Sequence, residues 1–487
     1  MIIISNVYLR LALALLAGSL MTAAFAPYGY AYLIFPGLMS LYYACRQWPQ
    51  QAFVTGYALG LGMFGWGIWW IYLSVHDAGG ADPVSASLLT LLAVTFFALF
   101  PALSASLLRR VVTLPAVSLR ILLAAAVWVA VEYGRGYGFL NGFPWLQVAY
   151  SQLTTPLAGY VPLLGVYGVG FLLAVSAFSL VEILQKQLQP AAGVMLLLVI
   201  WGGGWVLQQQ RWTVPAGETF TVTLIQGNIE QGVKWRADQK RYTLQLYRSM
   251  TEQHWDSKVI IWPETAIPAF LSQVKENFLQ PLAEQARQHN TDLVVSLPSG
   301  DGKQYYNSVL VSHDLQTLYH KTHLLPFGEY LPLQPLSGWI LDLIEIPLGS
   351  FTPGGEYQTL LRAGGYPFVT TICYEDVFGN EVMRQVQEAA YLVNVTNDAW
   401  FGDSSQPYQH LQMAQMRALE TGRYMLRATN TGVTAVIAPD GQVQSQAPLF
   451  TLYALTDSIV PMQGMTPYAR WGDQAVLGLI AALLVWV

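Results

Sequence analysis

Long stretches without a charged residue fill the first two hundred positions of the chain and then stop. Segments 11–45, 47–76, 83–108, 136–181 and 187–210 contain no Asp, Glu, Lys or Arg. A helix needs about 20 apolar residues to cross the hydrocarbon core of a bilayer. Divided at Pro, Gly and polar clusters, these stretches predict seven spans, near 9–26, 28–45, 53–75, 84–108, 119–137, 157–183 and 191–208. An eighth candidate near 471–487 is short and lacks a basic tail. The run AFA at 24–26 resembles a signal-peptide cleavage site, but apolar segments resume at once, so the first run reads as a span.

From about 218 to 459 the period changes. The runs TFTVTLIQGNI, VIIWPETA, DLVVSLPSG, YYNSVLVS, FVTTICYE and YLVNVTND are rich in Val, Ile, Thr and Tyr and predict strands. Residues 238–254, 271–289, 379–389 and 406–422 have helical composition. Alternating strands and helices predict an α/β domain with helices covering a sheet. The chain thus divides into a multi-span domain over 1–210, an α/β domain over 218–459 and a last span at 471–487.

Composition sharpens this division. The 487 residues are 53% hydrophobic and 11% charged, against about 25% charged in soluble domains. The net charge of −5 disfavours a nucleic-acid partner. Two cysteines, Cys45 and Cys373, give no disulfide framework and no zinc spacing. The seven histidines form no HExxH or similar pair, so no metal or cofactor is expected. Lys and Arg in short loops set orientation. With the N-terminus in the cytoplasm, Arg10, Arg46, Arg109, Arg110, Arg120 and Lys186 fall on the cytoplasmic side, and only Arg135 falls opposite. Seven spans then put 211–470 outside the cytoplasm.

Three runs in the α/β region carry reactive side chains at strand ends, where α/β folds build their sites. IIWPETA holds Glu264, YHKTHLLPFGEY holds Lys321 and Glu329, and TTICYED delivers Cys373 beside Glu375 and Asp376. A thiolate is a strong nucleophile. A carboxylate of raised pKa can take the thiol proton and return it to a leaving group. A lysine cation can hold the oxyanion of a tetrahedral intermediate. Singly, each residue has a plain alternative: a buried thiol, a solvated turn carboxylate, a surface charge. Glu132 and Arg135 in VEYGRG stand three residues apart on one span, a spacing that suits an ion pair or, for Arg135, a lipid phosphate.

The order Glu264, Lys321, Cys373, each in its local run, resembles the nitrilase superfamily, whose members carry a Glu–Lys–Cys triad on an α-β-β-α sandwich. Longer runs are similar to the apolipoprotein N-acyltransferase family: GFPW (142–145), SVHDAGG (74–80), HLLPFGEY (323–330), NVTNDAWFGDSSQPYQHLQMA (394–414) and RALETGRYMLRATNTG (417–432). The resemblance implies an eight-span membrane domain joined to a nitrilase-like sandwich. It implies Glu264 as general base, Lys321 as oxyanion stabiliser and Cys373 as nucleophile, with Glu329, Tyr374 and Glu375 in support. Trp235 resembles an aromatic on a mobile arm, and Trp400 and Phe401 match a loop near the substrate entrance; packing or interface anchoring is the plainer role for such aromatics.

The reaction implied is transfer of a fatty acyl chain from a phospholipid, through a Cys373 thioester, to the α-amino group of a lipoprotein's diacylglyceryl-cysteine. The site implied lies on the periplasmic side of a bacterial inner membrane. Phospholipid donor, apolipoprotein acceptor and membrane lipids are the expected partners, and a monomer is the simplest assembly. A membrane-tethered amidase would share the three residues but would need neither lipid-sized access nor seven preceding spans. A receptor with a degenerate domain fits poorly with an intact triad. A transporter fits poorly with so few paired intramembrane charges.

Overall fold

A computed structural model describes residues 6–332 and 351–485. They form two units. One comprises the chain up to Val75, Asp82–Arg211 and the stretch from Trp471 onward; the other comprises His76–Ala81 and Trp212–Arg470.

The first unit is helical. Its helices run Val7–Thr22, Ile34–Gln47, Ala52–Gly67, Pro83–Val111, Val117–Tyr137, Val161–Leu184, Pro190–Leu207 and Gln474–Leu484. Four are long and apolar enough to cross a membrane, five if the bent pair 49–67 and 71–78 counts as one span. The helix starts are written locally. Asn6 accepts from the Tyr8 and Leu9 amides, and Asp82 accepts from those of Val84 and Ser85 with Pro83 at the first helical position. The second span begins later than its apolar run predicts, at Ile34, because Pro27 to Leu33 form turns and a short 3-10 segment.

Small residues let these helices approach closely, as apolar helices in lipid must, since lipid offers no hydrophobic drive to associate. A Cβ on Gly18 would lie 1.9 Å from the Leu59 carbonyl oxygen, and one on Gly62 would lie 2.0 Å from that of Leu15. On another face of the same central helix, Gly56 and Gly60 meet Ala98, Pro101, Ala102 and Ala105. Charge appears inside this unit with partners. The Glu182 carboxylate takes two bonds from Arg120 at 2.8 Å, one from Tyr42 at 2.5 Å and one from Arg46. These bonds tie helices Ile34–Gln47, Val117–Tyr137 and Val161–Leu184 together. Arg135 donates to the Phe143 and Trp145 carbonyls and braces the GFPW segment, while Glu132 accepts from the Val148 amide beyond it.

The second unit contains β1 Val214–Pro215, β2 Phe220–Gln226, β3 Val259–Ile261, β4 Asp292–Gly300, β5 Tyr305–Val311, β6 Asp314–His320 and β7 Leu361–Ala363. These are followed by β8 Tyr366–Ile372, β9 Tyr391–Thr396, β10 Met425–Thr429, β11 Ala435–Ile437, β12 Val443–Gln446, β13 Tyr453–Ile459 and β14 Met462–Gln463. Two six-stranded sheets result, ordered β13-β2-β3-β4-β5-β6 and β12-β11-β10-β9-β8-β7, while β1 pairs β14 alone. Each sheet has three parallel strands inside antiparallel flanks: β2, β3, β4 and β8, β9, β10.

Side chains alternate along these strands with period 2. Val222, Val259, Ile261, Phe368, Val393 and Val395 join one core drawn from both sheets. Their neighbours turn the other way. Ile225, Ile260 and Leu293 pack on Leu279, Leu282 and Ala286, and Val369, Leu392 and Met425 pack on Leu411, Ala414 and Ala418. Strands buried on both faces read as unbroken apolar runs, which is why β2, β3, β8 and β9 were predictable.

The strands β1, β6, β7 and β10–β14 were not predicted. β6, DLQTLYH, is a half-buried edge, and β10 carries Arg427 inside it. Two helical expectations also change. Residues 379–389 are helical only over Gly379–Met383. In 271–289, Pro281 lacks an amide proton, and a π turn at Lys275–Leu279 divides the helix just before it.

Candidate active site

Glu264 follows the C-terminal end of β3, Cys373 follows β8 directly, and Lys321 follows β6. The Glu264 carboxylate accepts from Asn307 Nδ2 at 2.7 Å and lies 3.9 Å from Lys321 Nζ. Lys321 is 2% exposed. Its Nζ donates to both Glu329 oxygens, at 2.9 and 2.8 Å. Glu329 in turn accepts from the Leu325 amide at 2.9 Å. Glu264, Lys321 and Glu329 therefore form one buried contact group, braced by Asn307.

Electrostatics follow from that burial. Burial pushes the Glu264 carboxyl up and Lys321 opposes it; Glu329 adds a further rise that Lys234 and Asn307 counter. Burial works against the Lys321 cation, but Glu329 and Glu264 outweigh it and hold the ammonium firmly protonated. Burial and then Glu264 push the Cys373 thiol well above its ordinary value, while Lys321 and the Thr396 hydroxyl pull it down. The resting thiol is thus protonated, and ionising it takes a base.

Cys373 stands at φ +52° at the start of the 3-10 turn Cys373–Val377. A non-glycine residue in this left-handed region is strained and persists only where its surroundings fix it. Two sets of bonds do so. Glu375 accepts four: from the Thr322 and His323 amides at 2.6 and 3.1 Å, the Ile372 amide at 2.7 Å and the Tyr319 hydroxyl at 3.0 Å. One carboxylate thereby clamps the backbone after Lys321 to the backbone before Cys373. Burial pushes it up to about 7 despite those bonds. From the other side, Asn394 Nδ2 donates to the Cys373 carbonyl at 3.2 Å.

Behind Asn394 lies a network that the sequence did not reveal. Arg427 donates to Asn394 Oδ1 at 2.7 Å, Asp376 Oδ2 at 3.1 Å and Asp398 Oδ2 at 3.0 Å. His410 bridges the same aspartates at 2.9 and 3.0 Å. Burial alone would raise Asp398; the His410 and Arg427 cations outweigh it and hold it at about 2. The available signal was an ionisable or amide side chain inside an apolar strand, Asn394 in YLVNVT and Arg427 in MLRAT, because buried charge needs a partner. Asn307, in YYNSVLV, is a third polar side chain inside an apolar strand.

The remaining predicted residues stand differently. Tyr374 is buried, its ring edge-on to Phe378 with centroids 5.1 Å apart. Trp235 is exposed just beyond the one-turn helix Gln231–Lys234. Trp400 and Phe401 are half-buried in the 3-10 turn Asp398–Phe401. A bond from Asn397 Nδ2 to Gln231 Oε1 at 2.7 Å links the two aromatic segments. Among the described residues, no group of three or more His, Cys, Asp or Glu is placed to hold a metal.

Residues 221–462 match the carbon-nitrogen hydrolase family model, and residues 17–179 match that of the apolipoprotein N-acyltransferase N-terminal domain. Among solved structures, the chain is similar to an amidase of Nesterenkonia AN1 from the nitrilase superfamily, at 20% identity and a TM-score of 0.40, over 56% of this chain and 99% of that one. The two family models define the class as a carbon-nitrogen hydrolase domain preceded by an apolar helical unit. The apolipoprotein N-acyltransferase of Methylococcus capsulatus is 48% identical, with 97% of this chain and 94% of that protein covered. That of Nitrosomonas europaea is 42% identical over 99% and 97%. The chain belongs to the apolipoprotein N-acyltransferase family.

Proposed function

We propose that this protein moves a fatty acyl chain from a phospholipid to the α-amino group of a lipoprotein's N-terminal diacylglyceryl-cysteine, with Cys373 as the acyl carrier. The observation that carries the assignment is the contact group of Glu264, Lys321 and Glu329 acting electrically on a thiol held at a strained turn.

In the first half-reaction Glu264 takes the Cys373 proton and the thiolate attacks the ester carbonyl carbon. The carbonyl electron pair moves to oxygen, where the Lys321 cation holds it. Collapse expels the glycerol oxygen, which takes the proton back from Glu264 and leaves as lysophospholipid. A thioester remains on Cys373. In the second half, the lipoprotein amine attacks the thioester and gives a proton to Glu264; collapse breaks the carbon–sulfur bond and releases the amide, and the departing Cys373 sulfur takes that proton back from Glu264. Glu329 anchors Lys321, and Glu375 fixes the spacing between Lys321 and Cys373. Trp235, Trp400 and Phe401 border the route by which the acyl chains enter.

The membrane belongs to this mechanism. Lifting an acyl chain into water costs about 0.8 kcal/mol per exposed CH₂. A helical domain of eight spans over 1–210 and 471–487 instead admits both substrates from the bilayer. It carries the α-β-β-α sandwich over 218–459 on the periplasmic side of the inner membrane, as a monomer with a cytoplasmic N-terminus. The excess of Lys and Arg in alternate loops supports this orientation.

The test supplies purified protein with vesicles of sn-1-labelled phospholipid and a diacylglyceryl peptide. N-acylated peptide and lysophospholipid in equal amounts are expected. Free fatty acid without N-acylated peptide would make the protein a hydrolase.

A further inference from the structure

Lys234 is a buried cation that the mechanism above does not use. It is 2% exposed and closes the one-turn helix Gln231–Lys234, directly before the exposed Trp235. Its Nζ donates to the backbone carbonyl of Glu264 at 3.1 Å and to Thr265 Oγ1 at 2.6 Å. Thr265 itself stands at φ +45°, with its amide bonded to Ser296 Oγ at 3.0 Å. Both acceptors of the ammonium are neutral. A buried cation with neutral acceptors is costly unless a negative charge lies near it, and the carboxylate whose charge favours the Lys234 cation is that of Glu264, the residue whose backbone carbonyl Lys234 holds.

The charges around the base make the need plain. Glu264 faces Lys321, Glu329 and Lys234, together with the Asn307 amide and the Cys373 thiol. Two carboxylates against Lys321 alone would carry net charge −1, and like charges at close quarters press one carboxyl to hold a proton. A protonated Glu264 cannot accept one from the thiol.

We propose that Lys234 is a positioning residue that keeps Glu264 ionised and its loop in place, and that joins this duty to the seating of the Trp235 segment. The inference rests on the reading of Glu264 as base. Lys234 holds its proton less tightly than an ordinary lysine, at about 8, because burial opposes the cation and Glu264 only partly restores it.

The test measures alkylation of Cys373 by iodoacetamide against pH, read by peptide mass spectrometry on full-length protein. In wild type the rate rises with pH as Glu264 gives up its proton. In Lys234→Met the rising limb moves up by about one pH unit, the effect of a single lost cation on a carboxylate, which is about a tenfold slower rate at the foot of the limb. Lys234→Arg keeps the limb near its wild-type position. A Lys234→Met limb that coincides with wild type, or a uniform fall at every pH with an unmoved midpoint, overturns the proposal. So does a Lys234→Arg limb displaced as far as that of Lys234→Met. A Glu264→Gln profile identical to wild type would instead strike the reading of Glu264 as base.

Discussion

At the scale of single residues, the site is a set of charges that burial would disperse and mutual contact holds. Lys321 stays protonated because Glu329 and Glu264 lie against it. Replacing it with Met removes the proposed oxyanion donor while leaving both carboxylates buried. Cys373 acylation should fall by about 10²–10³-fold, the cost of one lost donor at such a site, as measured by single-turnover labelling. Glu375→Gln tests the clamp. The amide keeps an acceptor oxygen but replaces the other with a donor group that faces the Ile372 or Thr322 amide. A loss of about 1–3 kcal/mol in stability should accompany slower acylation, read together by thermal melting and labelling. Cys373 and Glu264 were legible in the chain because each follows a predicted strand, and Lys321 because it stands beside the HLLPFGEY run, the strand β6 before it being unmarked. Lys234, Asn307 and Asn394 were not, because their role depends on strands far apart in sequence coming together. Nothing local marks a lysine before an exposed Trp as buried.

At the scale of elements, the turn at Cys373 is backed, through Asn394 and Asp376, by strand β10 and helix Gln406–Thr421. The helix supplies His410 and ends on Gly422 at φ +62°, where a left-handed residue closes the cap and returns the chain into β10. His410→Ala leaves Asp376 and Asp398 short of a partner in a buried site and should cost about 3–5 kcal/mol. Burial and Arg427 disfavour the His410 cation, but the two aspartates outweigh them and raise its pKa. Its contribution is therefore full below the unfolded value of 6.5 and is lost as pH rises through the raised folded value. Melting temperatures against pH should show that alkaline decline in wild type and not in His410→Ala. In the helical unit, Gly18→Leu would drive a side chain into the Leu59 carbonyl and should lower thermal stability in detergent. These close approaches are not legible in the sequence, because the number of apolar residues does not say which faces two helices share.

At the scale of the whole molecule, the existence of an apolar helical part was legible from the charge-free stretches, though the unit it forms leaves out His76–Ala81 and takes in the stretch from Trp471 onward. The register of two six-stranded sheets was not, since edge strands such as β6 and the charged β10 lack the pattern that marks buried strands. Orientation rests on loop charges and is open to direct test. With impermeant maleimide on intact spheroplasts, Asp238→Cys should label, and Lys186→Cys should label only after permeabilisation. The reverse pattern would put the α/β unit on the cytoplasmic side.

The central claim is that Cys373 carries the acyl group. Purified protein is incubated with phospholipid bearing a labelled sn-1 chain, denatured, and treated with hydroxylamine. The account predicts a label on wild type that hydroxylamine releases and that is absent from Cys373→Ala. Equal, hydroxylamine-labile labelling of Cys373→Ala would contradict it.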